Sequence, residues 1–170
     1  MSEASNPEKR KANRPANRAV LVCHCLLDPL TRAERTKEIT RDIISVLIDY
    51  NISIIQLPCP EMIYGFFRPL RNKEGYNTPE YRGHCKKLAE QTAETVMQYT
   101  TGKFEVFGLI SIGGSPSCGC QRTHVKGEHK REPGIFIEEI QSVFKEKNIE
   151  MKICDHELLE DEKERKFFLG

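Results

Sequence analysis

Val106-Phe107-Gly108-Leu109-Ile110-Ser111-Ile112 runs straight into Gly113-Gly114-Ser115-Pro116-Ser117-Cys118-Gly119-Cys120, and this stretch decides the fold of the chain. The first half is the most apolar strand-like run in the sequence, from about Phe104 to Ile112. A run without polar alternation is the mark of a strand covered on both faces. The second half has three glycines, a proline, two serines and two cysteines in eight residues. Core packing does not call for such a string. Glycine and proline impose an unusual backbone path, and a thiol on such a turn can be presented to a ligand.

Upstream, the same pattern occurs twice more. Arg18 to Cys25 is nearly continuous in apolar residues and reads as a first buried strand, closed by Leu26-Leu27-Asp28-Pro29. A helix is expected from about Arg32 to Tyr50, because Ile39, Ile43, Val46, Leu47 and Tyr50 share one face at helical spacing. Ile52 to Leu57 reads as a second buried strand, broken by Pro58-Cys59-Pro60-Glu61. Met62 to Thr78 reads as an irregular segment. Thr78-Pro79 then supplies a cap and a first-turn proline for a helix reaching about Tyr99. Leu88, Ala89, Thr92, Ala93, Val96 and Met97 are expected on its inner face.

Downstream, Gln121 to Glu132 is polar, and Pro133-Gly134 opens a helix whose Phe136, Ile140, Val143 and Phe144 share a face. Ile149 to Cys154 alternates apolar with polar, as suits an edge strand with one wet face. A charged helix closes the chain. Strands alternating with helices predict an α/β fold. The expected form is a single Rossmann/flavodoxin-like three-layer domain with about four parallel strands in the order 2-1-3-4, spanning 19–170. Residues 1–18 are expected to form a disordered basic tail.

Bulk properties narrow the function. The chain has 170 residues, 26 Lys and Arg against 25 Asp and Glu, and a formal charge of +1. No global field selects nucleic acid or an anionic membrane. The amino-terminal residues lack the apolar core of a secretory signal, and no run reaches membrane-spanning length. The expectation is a cytoplasmic protein with a small-molecule substrate, no membrane and no specific nucleic-acid partner. Oligomeric state is not legible.

Seven cysteines is an odd number. In a protein expected to be intracellular it argues for metal or redox chemistry rather than a disulfide framework. Cys25, Cys59 and Cys118 each follow a predicted parallel strand, so all three fall at one edge of the sheet. Strands two, one and three are neighbours about 4.8 Å apart, and open α/β sheets bind ligands at this carboxyl edge. Zinc is one candidate, with the CxC pairs Cys23/Cys25 and Cys118/Cys120 completing its ligands. An iron–sulfur cluster is the other.

Three blocks, Cys25-Leu26-Leu27, Pro58-Cys59-Pro60-Glu61 and Ser115-Pro116-Ser117-Cys118-Gly119, resemble the signature blocks of the DUF523 family, which includes thiouracil desulfidases. The resemblance covers Val20 to Gly119 and departs from the family pattern after Leu27, where Asp28-Pro29 stands in place of glycine. It implies a [4Fe-4S] cluster held by Cys25, Cys59 and Cys118, with the fourth iron open to the sulfur of a small thiolated substrate. The implied reaction is a non-redox desulfuration in which water replaces sulfur. Cys23 and Cys120 are extra thiols, and either is an open candidate for a fourth ligand.

Such a reaction needs a proton donor and a placed water. Glu61, two residues past Cys59, and Ser115, three before Cys118, are the expected catalytic groups. Arg68, Ser117 and His124 are candidate substrate contacts, with Arg71 a second cation nearby and Tyr64, Phe66 and Phe67 available to stack on a base. His24 is expected to point away, because neighbours on a strand face opposite sides. The alternative reading is a structural or sensing metal protein, holding zinc or iron–sulfur without desulfurase activity.

Overall fold

A computed structural model describes residues 16–33, 36, 42–66 and 70–170. Its centre is a parallel sheet of β1 (Arg18–Cys23), β2 (Ser53–Leu57), β3 (Glu105–Ser111) and β6 (Lys152–Asp155), in the order β2-β1-β3-β6. Because β6 is the predicted fourth strand, both the fold class and the strand order agree with the sequence. Pairing runs Ala19 with Ser53 to Cys23 with Leu57, and Val20 with Gly108 to Val22 with Ile110. Five of the six residues of β1 are buried, as the apolar run predicted.

The helices are α1 (His24–Leu27), α2 (Asp42–Asp49), α3 (Pro60–Tyr64), α4 (Lys73–Tyr76), α5 (Pro79–Thr101), α6 (Ile135–Glu146) and α7 (Glu162–Leu169). In α5 the Thr78 side chain accepts the Tyr81 N–H at 3.2 Å, the predicted cap. Helices α5 and α6 pack against each other. Helix α7 lies close to β3, and a Cβ on Gly108 would stand 2.8 Å from the Phe168 ring. Ile135, Phe136, Ile137 and Ile140 of α6 join Leu21, Leu109 and Ile110 in the core. Among the described residues no helix is long and apolar enough to cross a membrane.

Several local expectations need correction. Strand β1 stops at Cys23, and Cys25 sits in the single turn α1, closed by the Asp28 N–H on the His24 carbonyl at 2.8 Å. Arg32 has extended backbone angles and is not helical. The helix expected from there is described only over Asp42–Asp49, with Ile39 outside the described residues and Tyr50 in a turn. The segment read as irregular contains α3 and α4. Met97 is exposed, because it falls at the edge of the buried face of α5. Arg18, counted with the tail, belongs to β1, where its guanidinium covers the Phe107 ring and reaches the Leu169 carbonyl. The polar stretch after Cys120 holds a hairpin, β4 (Thr123–Val125) and β5 (Glu128–Lys130). Its turn is tied to α4 by Asn72 and Glu74, which accept from Gly127 and Lys126.

Candidate functional site: a buried thiol centre at the carboxyl edge of the sheet

The loop after β3 is built to hold one geometry. Gly114 has φ +85°, a left-handed angle that glycine tolerates. The Ser115 Oγ accepts the N–H groups of Cys118 at 3.0 Å and Ser117 at 3.3 Å, and the Ser115 carbonyl accepts from Gly119 and from the Thr123 hydroxyl. The first N–H groups of α6 then close on the same loop. Gly134, Ile135 and Phe136 donate to the carbonyls of Gly119, Pro116 and Ser117 at 2.7, 3.0 and 2.9 Å. The helix donors that would otherwise lack partners are thereby spent on seating the loop. A Cβ on Gly119 would lie 2.2 Å from the Arg122 carbonyl oxygen, and one on Gly134 would lie 2.5 Å from the Ser117 carbonyl carbon.

Asp155, at the end of β6 and 3% exposed, anchors the other side of the loop. Its carboxylate accepts from the N–H of Cys120 at 2.8 Å, the N–H of Gln121 at 3.0 Å and the Ser111 hydroxyl at 2.7 Å. Cys120 lies on this side. Burial, with the Asp155 charge beside it, pushes its thiol up to about 12. Cys154 shares this corner and is also pushed up, chiefly by burial.

On the other side of the loop Cys23, Cys25, Cys59 and Cys118 converge. Cys59 is at the N-cap of α3 with its sulfur accepting the Met62 N–H at 3.5 Å, and Pro60 at the first helical position stiffens the turn. All seven cysteines are free thiols. The Cys25 thiol is raised well above its ordinary value, first by burial, then by the neighbouring sulfurs of Cys23 and Cys59. Cys59 is raised by burial, with Glu61 and Cys23 adding to it. Cys118 is raised most directly by a hydrogen bond with the Cys23 thiol, then by burial and by Cys23, Cys59 and Cys25. The three predicted cysteines are therefore neighbours, and Cys23 stands among them. Among the described residues no group of three or more His, Cys, Asp or Glu side chains is arranged to hold a metal ion.

Glu61 completes the centre. It accepts a hydrogen bond from the Tyr76 hydroxyl at 2.9 Å. Burial raises its pKa, while hydrogen bonds from Ser117 and Tyr76 and the charge of Arg71 hold the rise back. Ser117 is fully buried, and its hydroxyl also meets the Tyr81 hydroxyl at 2.8 Å. With Glu61 ionised, Ser117 gives its one proton to the carboxylate and Tyr81 donates to Ser117. Behind them stands a wall of rings. Tyr76 and Tyr81 have centroids 5.0 Å apart, Tyr64 lies edge-on to Tyr81 at 5.2 Å, and Phe66 is 5.7 Å from Tyr76. Arg71 lies over Phe66 at 4.3 Å.

The other sequence candidates fall as follows. Arg68 and Phe67 lie outside the described residues. His124 sits on β4, paired through Nδ1 with the Asn72 side-chain oxygen at 2.7 Å and packed edge-on to His129. His24 opens α1 rather than continuing a strand, with its ring against Gln56 and Asp28. Tyr76, Tyr81 and Asp155 were not singled out from the sequence. Only Asp155 carried a signal, a carboxylate at the end of a predicted strand on the ligand-binding edge.

Thiolates are the ligand type that iron–sulfur groups take, and Cys25, Cys59 and Cys118 are buried or half-buried neighbours, with a backbone N–H already on one sulfur. No protein-family model matches the chain. The structure is similar to that of the [4Fe-4S]-dependent thiouracil desulfidase TudS (DUF523Vcz), with a TM-score of 0.54 and 18% identity, covering 84% of this chain and 93% of that one. The expected DUF523 resemblance is thus met at the level of the fold. In sequence the chain is 32% identical over 143 residues to the uncharacterized protein MJ0003 of Methanocaldococcus jannaschii, covering 82% of this chain and 85% of the relative. The chain therefore belongs to the family of MJ0003 and has the α/β fold of the DUF523 desulfidase TudS.

Proposed function

We propose that the protein is a [4Fe-4S]-dependent desulfidase that replaces the sulfur of a small thiolated compound, a thiolated nucleobase or nucleoside, with oxygen from water. The balanced change is C=S plus water giving C=O plus hydrogen sulfide, with no net oxidation. The observation that carries this reading is the meeting of Cys25, Cys59 and Cys118 beside the buried carboxyl group of Glu61. Those three cysteines would hold the cluster. When bound, it supplies an iron with an open position, a thiophilic Lewis acid.

The chain's own residues supply the rest. Glu61 is placed to hold a proton at its carboxyl group and to pass it between water and the departing sulfur. Tyr76 and the Tyr81–Ser117 pair fix its orientation. Ser115 spends its acceptor capacity on the Cys118 and Ser117 N–H groups, which leaves its hydroxyl hydrogen to donate to substrate or water. The Tyr64 and Phe66 rings and the Arg71 guanidinium offer a flat, electron-poor-edged partner for a base. Arg68 and His124 remain candidate substrate contacts.

Anaerobic purification with iron and sulfide quantified, followed by incubation with 2-thiouracil and a panel of thiolated bases, tests this. Iron near four per chain and released sulfide are expected. An iron-free, zinc-loaded protein would sink the reading, as would an intact cluster that frees no sulfide from any thiobase. One observation favours a second reading, a closed cluster with a structural or sensing role: Cys23 lies among the three candidate ligands.

A further inference from the structure

We infer that Lys73 is a positioning residue for Glu61: with Glu138 and Arg82 it clamps α4 onto the start of α6, so that the Tyr76 hydroxyl is held on the Glu61 carboxyl group. The inference rests on the desulfidase reading above, in which Glu61 carries the proton.

Helix α4 is a single turn, Lys73–Tyr76, and its N-cap Asn72 makes no side-chain cap bond. A lone turn fixes several backbone angles for very few hydrogen bonds and does not persist unaided. Its place must come from tertiary contacts. Lys73 is 8% exposed, an uncommon depth for a lysine. Its Nζ donates to the Pro133 carbonyl at 2.7 Å and to the Glu132 carboxylate at 3.0 Å, and it meets Glu138 Oε1 as well. Three acceptors thus match the three protons of the ammonium. The other oxygen of Glu138 takes the Arg82 guanidinium at 2.8 Å, and Arg82 also reaches Glu139 at 3.0 Å. Through Nε the same guanidinium donates to the Asn77 side-chain oxygen at 2.6 Å, and Asn77 is the C-cap of α4. Both ends of α4 are therefore tied to one carboxylate in the first turn of α6.

Tyr76 follows Lys73 by three residues, on the same side of the turn. It is 1% exposed, and its hydroxyl donates to Glu61 at 2.9 Å. Pro133, on the Lys73 ammonium, immediately precedes Gly134, whose N–H closes on the Cys118 loop at the Gly119 carbonyl. Lys73 thus joins the seat of that loop to the turn that carries Tyr76. A buried ion pair is weak evidence for stability, because desolvation offsets the attraction. What this one fixes is geometry, since its acceptors come from the segment entering α6 and converge on a single placement of α4.

The test is a double-mutant cycle on the anaerobically loaded protein: wild type, Lys73→Met, Tyr76→Phe and the double variant. Methionine keeps an unbranched side chain at the site, and Arg82 stays on Glu138, so that carboxylate keeps a cation. We expect Lys73→Met to hold wild-type iron and KM while kcat for sulfide release falls, by as much as about 10²-fold for a displacement near 1 Å. In the Tyr76→Phe background the same substitution is expected to lower kcat no further. Losses that multiply, an unchanged kcat in Lys73→Met, or a fall in kcat that only tracks lost iron would each overturn the inference. A second cycle reads the denaturant midpoints of the same four proteins as purified. The two midpoint losses are expected to fall short of adding, and additive losses would overturn the inference by themselves. If Lys73→Met does not fold, Glu138→Gln, which removes the charge shared by Lys73 and Arg82 at unchanged size, takes its place in both cycles. If the wild type frees no sulfide, the desulfidase reading fails, and the midpoint cycle still decides whether Lys73 holds Tyr76 in place.

Discussion

At the scale of single residues, the centre divides into groups that would hold the cluster and groups that would handle protons. Cys25, Cys59 and Cys118 come from three separate strand ends, and serine at any of them removes a soft thiolate. Each Cys→Ser variant is expected to lose iron, read by metal analysis and by bleaching of the visible spectrum. Glu61→Gln keeps the size and the contact with Tyr76 but cannot exchange a proton. Sulfide release is expected to fall by about 10²–10⁴-fold while iron content stays at wild type. A variant that lost iron as well would show that Glu61 supports the cluster rather than the chemistry. Cys120, which the CxC spacing left open as a ligand, is half-buried beside Ser111 and Asp155, with its thiol pushed up to about 12 by burial and the Asp155 charge.

At the scale of elements, the decisive unit is the junction of the Gly113–Arg122 loop with α6. The close approaches at Gly119 and Gly134 are to backbone, which cannot swing aside as a flexible side chain would. Gly134→Ala is expected to cost about 1–3 kcal/mol, the range for overpacking a filled site, read as a lowered denaturant midpoint. Iron loading should weaken with it, because the same carbonyls position Cys118. The 3-10 turn His156–Glu160 offers a pH test. Burial holds the His156 pKa below its ordinary value, Arg32 adds to this, and Glu157, Asp155 and Glu160 oppose it. A depressed histidine leaves the unfolded chain binding more protons, so its stabilising contribution is present above the unfolded pKa of about 6.5. It is lost as pH falls through the lower folded value. Wild type should lose more stability than His156→Asn between neutral pH and about pH 5, measured by denaturant unfolding.

At the scale of the whole molecule, three strands and three loops contribute to one centre, so ligand binding and folding are linked. Anything bound to the folded state alone stabilises it in proportion to the logarithm of its concentration over its dissociation constant. Removing the cluster by oxygen and chelator should therefore lower the melting temperature, and anaerobic reconstitution should restore it. No change in melting temperature on loading would argue that the thiols do not converge on a common object.

Burial on both faces writes itself directly into sequence, so the apolar runs at Val20, Ile54 and Leu109 located three strands, and the half-wet alternation before Cys154 located the fourth. Parallel connection then set the carboxyl ends of all four at one edge, and with them the three predicted cysteines. The hairpin of β4 and β5 was not legible, because Thr123-His124-Val125 and Glu128-His129-Lys130 have little apolar patterning. It is held by Asn72 and Glu74, about fifty residues away. The roles of Cys23, Tyr76, Tyr81 and Asp155 depend in the same way on which distant groups face them. Sequence alone determined the sheet, its order and the thiols that share its edge, since those follow from local burial and chain direction. Only the tertiary structure decided that Cys23 joins the thiols, that Cys120 turns to Asp155, and that Glu61 is held by Tyr76 directly and by Tyr81 through Ser117. These are contacts between side chains apart in the chain, and no local pattern encodes them.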